Sequence, residues 1–410
     1  MKRILLAGTA IAGVALLSQP AHADLKLDLG GYFRGYMVYA DNKEAGTPAQ
    51  QLNTFNFTKD AEVHFTGETT TDMGLTVGAH FELKMLNNGV FSSFGVQQQN
   101  LAGQDAYNSG SNVDESYVYF SGGWGRVNFG EEDGAAYLLQ VAAPSADSNI
   151  DGLRPSVVGF VSDVWNNGAV NGSWNNPFNN NNSNATMGYD NADFRHTDRI
   201  TYLTPKWNGF QAGASYAPTQ GAVGVDSNLA GMPFANLNRE YQNLWEASAR
   251  WDGEFSGVGV SAGGGYSSAT PGLKAGAGNF GSEDLRTWDA GLNFTWQGWS
   301  LGGAYLSSNT GTSGPSHDYR VWDVGLGWDN GPWHAGASWW DGRWDVNSYG
   351  GAEGLADKLK VDRYTVGGGY TYGPGMSFRG AVAWANVKNG TGAGGDINPV
   401  QVTLGTDVNF

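Results

Sequence analysis

Three short stretches of this chain hold residue types that could do chemistry. Gly259-Val260-Ser261-Ala262-Gly263 has the spacing of a nucleophile elbow. That elbow needs a strained strand-to-helix turn to expose its serine, but here the stretch lies inside an alternating run with no helix after it and reads as strand. Gly276-Ala277-Gly278-Asn279-Phe280-Gly281 has the spacing of a dinucleotide fingerprint, which works only between the strand and helix of a βαβ unit; it reads as a glycine-rich loop. Glu131-Glu132-Asp133 offers hard oxygen ligands for a weak Ca²⁺ site, without EF-hand spacing. No two histidines stand four apart around a glutamate, which excludes a zincin. There is no cysteine, so disulfides, thiolate metal centres and cysteine nucleophiles are excluded together. The expectation is a protein that is not an enzyme and has no cofactor beyond weak calcium.

Composition narrows the class. Acidic residues number 39 against 23 basic in 410, a net charge of −16, which argues against nucleic acid as a partner. Aromatics reach 13%, so the chain folds. A mean hydropathy of −0.37 is too polar for a helical membrane bundle. Residues 1–23 read as a secretory signal peptide: Lys2 and Arg3 precede an apolar stretch from Ile4 to Leu17, and Ala21-His22-Ala23 is a small-x-small cleavage site. That apolar stretch is short of the roughly 20 residues a spanning helix needs. Residues 24–410 form one domain.

The rest of the chain alternates with period two. Leu27, Leu29, Phe33, Met37 and Tyr39 share one face of the first strand, and Lys26, Asp28, Tyr32, Arg34 and Tyr36 the other. Sixteen such runs begin near residues 25, 56, 73, 113, 124, 197, 210, 241, 257, 285, 299, 317, 333, 359, 376 and 400. Short links, such as Gln297 to Trp299 and Asp329 to Trp333, alternate with long ones, the longest from 132 to 196. Tight turns at one end and long loops at the other describe an up-and-down meander.

Aromatics decide what surrounds the meander. Trp124, Trp207, Trp251, Trp296, Trp299, Trp328, Trp333, Tyr370 and Tyr372 flank the short turns, as an interfacial girdle does in a membrane barrel. Lipid cannot satisfy open sheet edges, so the sheet must close. Inward phases carry Gly, Ser, Asn, Asp, Glu and Arg, and sixteen strands leave an aqueous lumen. The fold class is therefore all-β: a sixteen-stranded antiparallel transmembrane barrel with short periplasmic turns and long extracellular loops. Lys59 shares phase with Phe57, Ala61 and Val63 and should point outward, where a charge is costly except near the interface or a subunit contact.

Residues 114–134, DESYVYFSGGWGRVNFGEEDG, resemble the hairpin of the fourth and fifth strands leading into the third loop of the general, non-specific porins of Gram-negative outer membranes, in their alphaproteobacterial form. Arg199-Ile200-Thr201-Tyr202-Leu203-Thr204-Pro205 resembles the strand that resumes afterwards, and the chain ends in Phe410 as theirs do. The resemblance implies an outer-membrane homotrimer among lipid and lipopolysaccharide, with the third loop folded into the lumen and small hydrophilic solutes and ions diffusing passively. It also implies that Phe410 serves as an address for the outer-membrane assembly machinery.

The link over 132–196 is too long for a hairpin loop and holds apolar pieces, Tyr137-Leu138-Leu139 and Val157-Val158-Gly159-Phe160, that need a wall. Its first half is expected to fold inward as a constriction, with the Asn-rich tract from Asn175 to Asn184 as a solvated tip. Asp147, Asp151 and Asp163 would form the acidic side of the eyelet, and inward-phase Arg34, Lys84, Arg126, Arg363 and Arg379 the basic side. The acidic net charge points to a mild cation preference. Two alternatives stand beside the open diffusion channel. One is a carbohydrate-preferring porin with Trp165, Trp174 or Trp340 as a stacking path; the other is a secreted β-rich carbohydrate-binding protein or hydrolase, or a surface receptor.

Overall fold

The computed structural model describes residues 25–41, 54–85, 113–157, 187–191, 197–219, 241–271, 283–309, 311, 318–347, 356–389 and 398–410. The signal segment 1–23, Val158 to Phe160, Asp163, Trp165, Trp174, the Asn-rich tract and Gly276 to Gly281 lie outside these residues.

Sixteen strands form one closed antiparallel barrel. They are β1 (Lys26–Asp41), β2 (Phe55–Thr70), β3 (Thr76–Met85), β4 (Val113–Gly122), β5 (Gly125–Glu131), β6 (Asp198–Leu203), β7 (Phe210–Thr219), β8 (Tyr241–Phe255), β9 (Val258–Pro271), β10 (Leu285–Trp296), β11 (Trp299–Ser308), β12 (Tyr319–Asn330), β13 (Trp333–Asn347), β14 (Ala356–Gly373), β15 (Met376–Asn389) and β16 (Val400–Asn409). Each strand pairs with its sequence neighbours, and β1 meets β16 from Tyr32↔Asn409 to Asp41↔Val400. Gly31 and Phe410 exchange both backbone hydrogen bonds at 3.0 Å, which seals the seam. The expected strand starts fall within three residues of those observed. At β3 the start is later because Asp72-Met73-Gly74 belongs to the turn, where Thr71 N–H donates to the Leu75 carbonyl at 2.8 Å.

Turn chemistry fixes the register at the short-turn end. Gln297-Gly298 joins β10 to β11 with positive φ at both residues (47° and 85°), as a two-residue hairpin of the type I′ family requires.

The outer face is apolar and banded. The short-turn girdle is largely exposed, with Trp207 at 73%, Trp296 at 53% and Trp333 at 57%. A second belt lies near the long-loop end: Tyr216 packs on Trp245 at 4.4 Å, and Trp288, Tyr305 and Trp322 form a chain at 4.8 and 4.4 Å between centroids. Between the belts, Leu292, Phe294, Leu301, Val324 and Leu326 are exposed. Two aromatic belts around an apolar band match the girdles at two membrane interfaces. Alternation alone reveals the first belt, because it clusters at turns; the second is spread along strand interiors.

The inner wall differs from the uniformly polar lining read from the sequence. Leu306, Val321, Trp340, Val361, Ala383, Ala385 and Val387 point inward and are almost fully buried. They form a core with Ala143, Ile150, Val157, Met187 and Tyr189 of the segment after β5. Burying such side chains stabilises by about 1.5–3 kcal/mol each for the larger ones, so the segment is held against the wall by the same force that builds a soluble core.

Candidate functional site: the lumen and its inner loop

The segment after β5 runs along the inner wall as a belt. It contains two single-turn helices, α1 (Ala135–Leu138) and α2 (Ser148–Asp151). At α1, Ala135 N–H donates to Ser215 Oγ (2.8 Å) on β7 and Ala136 N–H to Glu246 Oε2 (3.2 Å) on β8. Glu246 is itself held by Arg199 of β6 at 2.6 Å, both side chains buried. Farther on, His334 Nε2 of β13 lies 3.1 Å from the Ser145 carbonyl, and Ser338 Oγ donates to Asp151. At the far end, Asn149 Nδ2 donates to Tyr36 Oη (2.9 Å) on β1 and to Asp407 (3.3 Å) on β16. The belt therefore reaches from β6 round to the β1–β16 seam.

Glycine makes this close approach feasible. A Cβ at Gly325 would overlap the Pro144 carbonyl oxygen, and one at Gly291 the Val141 carbonyl. Part of the chain's high glycine content is thus a track for the loop and does not widen the lumen.

The loop acids are anchors. Asp151, 1% exposed, accepts hydrogen bonds from the backbone of Ala146 (2.9 Å) and Asp147 (2.8 Å). Asp147 caps α2 through Asn149 N–H (3.1 Å), accepts from Tyr36 Oη (2.8 Å) and pairs with Arg379 (3.1 Å). Neither carboxylate presents a free face to the lumen, which corrects their expected role as the acidic side of an eyelet; Asp163 lies outside the described residues. A side chain's phase and charge could not show that the backbone it serves lies beside it.

Arg363 is corrected in the same way. Its inward phase is as expected, but it is 1% exposed beneath the loop, donating to the carbonyls of Ile150 (3.2 Å) and Met187 (3.4 Å), with Asp323 at 3.8 Å. Trp340, 0% exposed beside it, is covered and offers no stacking surface for sugars.

The other four cations reach the uncovered part of the wall. Arg379 bridges Asp147 and Asp407, each at 3.1 Å. Arg34 lies 3.4 Å from Asp60 and 3.9 Å from Asp407, over the Tyr32 ring. Lys84 pairs with Asp114 (3.2 Å) and stands 3.8 Å from Glu62. Arg126 donates to Asn128 (2.6 Å) and covers the Tyr119 ring. From β15 to β4 the wall thus carries a ladder of mixed charge, Arg379, Asp407, Arg34, Asp60, then Glu62, Lys84 and Asp114. Acids and bases share one wall where the sequence reading set them on opposite sides.

Glu131, Glu132 and Asp133 are buried, and Glu132 and Asp133 are individually occupied. Both Glu132 oxygens accept from Asn128 Nδ2 (2.6 and 2.7 Å), and both Asp133 oxygens from Arg154 (2.8 and 3.0 Å). They do not gather into a metal-holding group among the described residues. Burial pushes the Glu132 carboxyl up to about 7, against the opposing pull of Asn128 and Arg126. Arg154, which the sequence reading passed over, also pairs with Asp190 at 2.6 Å and ties the two described stretches of the loop together.

A closed sixteen-stranded barrel with an apolar banded exterior, a charged inner wall and an inward loop defines a porin-type channel. A family model described as Gram-negative porin matches residues 7–390, and the chain belongs to that family: it is an outer-membrane porin, a channel and not an enzyme. Solved structures agree in fold. An anion-selective porin from Comamonas acidovorans is 14% identical with a TM-score of 0.60, covering 94% of this chain and 100% of its own. A second porin is 15% identical with a TM-score of 0.53 over the same shares. A loop-deletion form of OmpT, an outer membrane protein of Vibrio cholerae, is 13% identical with a TM-score of 0.52, covering 94% and 99%. No curated protein matches the chain significantly.

Proposed function

We propose that this porin is a non-specific diffusion channel of the alphaproteobacterial type, mildly selective for cations, passing ions and small hydrophilic solutes without a cofactor. The observation that carries the cation preference is the wall left uncovered by the loop. On the inward face of β1 to β5 the acids Asp28, Asp60, Glu62, Glu68, Glu82, Asp114 and Glu115 outnumber the bases Lys26, Arg34, Lys84 and Arg126. Lining charge of one sign lowers the barrier for the opposite ion. In this respect the chain differs from the anion-selective porin whose fold it shares.

The functional unit is a homotrimer. No tryptophan precedes Trp124 once the signal segment is set aside or before, and the outer face of β1 to β3 carries Leu27, Leu29, Phe33, Phe57, Phe65 and Phe81 in its place. An apolar face without headgroup-level indoles, with outward Lys59 on it, suits contact with another copy better than lipid. Export by residues 1–23, insertion guided by Phe410 and lipopolysaccharide around the outer belt complete the reading; residues 132–196 serve as the constriction loop.

Conductance of the purified mature protein in a planar bilayer under a salt gradient tests this. Ohmic steps in groups of three with a cation-selective reversal potential are expected. An anion-selective potential, or silence from protein shown to be folded and inserted, would refute it.

A further inference from the structure

On the uncovered wall, β2 and β3 bring two imidazoles and a carboxylate to one place. The register sets His64 opposite Glu82 and Thr66 opposite His80, so all of them face inward. His80 Nε2 lies 3.0 Å and His64 Nδ1 3.7 Å from the same oxygen, Glu82 Oε1. The ligand atoms of the three residues fall within 4.8 Å of one another. Ligands at the usual zinc distances on a tetrahedron are about 3.3 Å apart, and the two measured separations bracket that edge.

The surroundings support the same reading. Thr66 Oγ1 stands 2.7 Å from His80 Nδ1 and fixes the ring so that Nε2 points at Glu82; metal-binding imidazoles have such a partner on their far nitrogen. Glu62 Oε1 stands 3.4 Å from His64 Nε2, near the far nitrogen of the second ring but without a hydrogen bond to it. The three side chains are 16–29% exposed, so an ion in the lumen can reach them. A neighbouring trio, Glu62, Glu82 and Asp114, also converges, but the Lys84 ammonium already lies against Asp114 and Glu62. A positive charge from the chain itself fills that place, leaving the imidazole-bearing trio.

We propose that His64, His80 and Glu82 form a lumen-wall binding site for a divalent transition metal such as Zn²⁺, with water or a passing solute as fourth ligand. Two nitrogens and one oxygen select against Mg²⁺ and Ca²⁺, which take oxygen. The ion reaches the site through the open lumen proposed above, yet binding itself does not require conduction.

Metal-stripped, untagged, refolded protein in detergent titrated calorimetrically with ZnCl₂ tests the site. One Zn²⁺ per chain is expected, uncompeted by millimolar Mg²⁺ or Ca²⁺. His64→Asn, His80→Asn and Glu82→Gln should each weaken binding at least about tenfold, and Thr66→Val by about tenfold through loss of orientation. Folding of each variant is verified by its strand circular dichroism. Absence of saturable binding to the folded wild type below millimolar Zn²⁺, or binding undiminished in a folded His64→Asn/His80→Asn variant, would overturn the proposal. Zinc binding by protein that is silent in bilayers would sustain the site while refuting the open channel.

Discussion

The buried pair of Arg363 and Asp323 gives the sharpest test of how the inner loop is held. Their side chains are 2% and 0% exposed, and neither Asp323 oxygen has a hydrogen-bond partner among the described residues. Replacing Arg363 with Met leaves that carboxylate unpaired in the wall, which costs about 3–5 kcal/mol. It also strips the Ile150 and Met187 carbonyls of their donor, at about 1 kcal/mol each. In the double variant Arg363→Met/Asp323→Asn the charge term disappears and only the carbonyl term remains. Chymotrypsin reads the difference, because Leu153 lies in the loop, packed against the core that the loop shares with the wall, whereas Pro155 shields the Arg154 bond from trypsin. When local opening precedes cleavage, the rate follows the opening free energy. Each 1.4 kcal/mol is a factor of about ten, so Arg363→Met should speed cleavage after Leu153 by about 100-fold or more. The double variant should be cleaved at least about tenfold more slowly than the single one. A double variant cleaved as fast as Arg363→Met, or a single variant within threefold of wild type, would refute the claim that a buried charge pair pins the loop.

Three further outcomes follow from the same geometry. Glu132→Gln tests the buried carboxyl: between its ordinary 4.5 and about 7 the folded form holds a proton that the unfolded form has released, so wild-type stability falls as pH rises through that window. The Gln variant should lack this slope and gain on the order of 3 kcal/mol relative to wild type by pH 8, measured as paired thermal midpoints at pH 5 and pH 8; an equal difference at both would refute the assignment. Gly325→Val should push the belt off its track at about 1–3 kcal/mol of overpacking, seen as faster chymotryptic cleavage after Leu153 and altered single-channel conductance. Leu301→Arg on the apolar band should cost about 2–4 kcal/mol in vesicle refolding if that face meets the bilayer midplane, and nothing if it faces water.

The strands were legible in the sequence because period two survives in every one and the turns declare themselves through pairs such as Gln297-Gly298. The Leu27 to Tyr39 alternation and the Trp296, Trp299 and Trp328 cluster carry the barrel on their own. The loop's path was not legible. Asp147, Asp151 and Arg363 have the right charge and phase for a pore wall, but phase states only which face a side chain leaves, not what lies over it. The available signal was glycine at inward positions, Gly291 and Gly325 among them, beside inward Val321 and Trp340. Small and apolar residues on a supposedly wet face mark where a second layer docks.

That docking moves the source of selectivity. With Asp147 and Asp151 committed to backbone donors and Arg379, the described part of the loop contributes shape more than charge. The wall from β1 to β5 then supplies the charges a permeant ion meets. These are interleaved in close pairs, Arg34 with Asp60 at 3.4 Å and Lys84 with Asp114 at 3.2 Å, so each cation is largely compensated by a neighbour at a distance well inside the screening length of about 8 Å in physiological salt. What remains beyond these pairs is the excess of acids over bases along the wall. On the function proposed above, a barrel built this way would repel little and favour cations weakly, and the imidazoles beside that acidic excess would add the proposed metal site in the path.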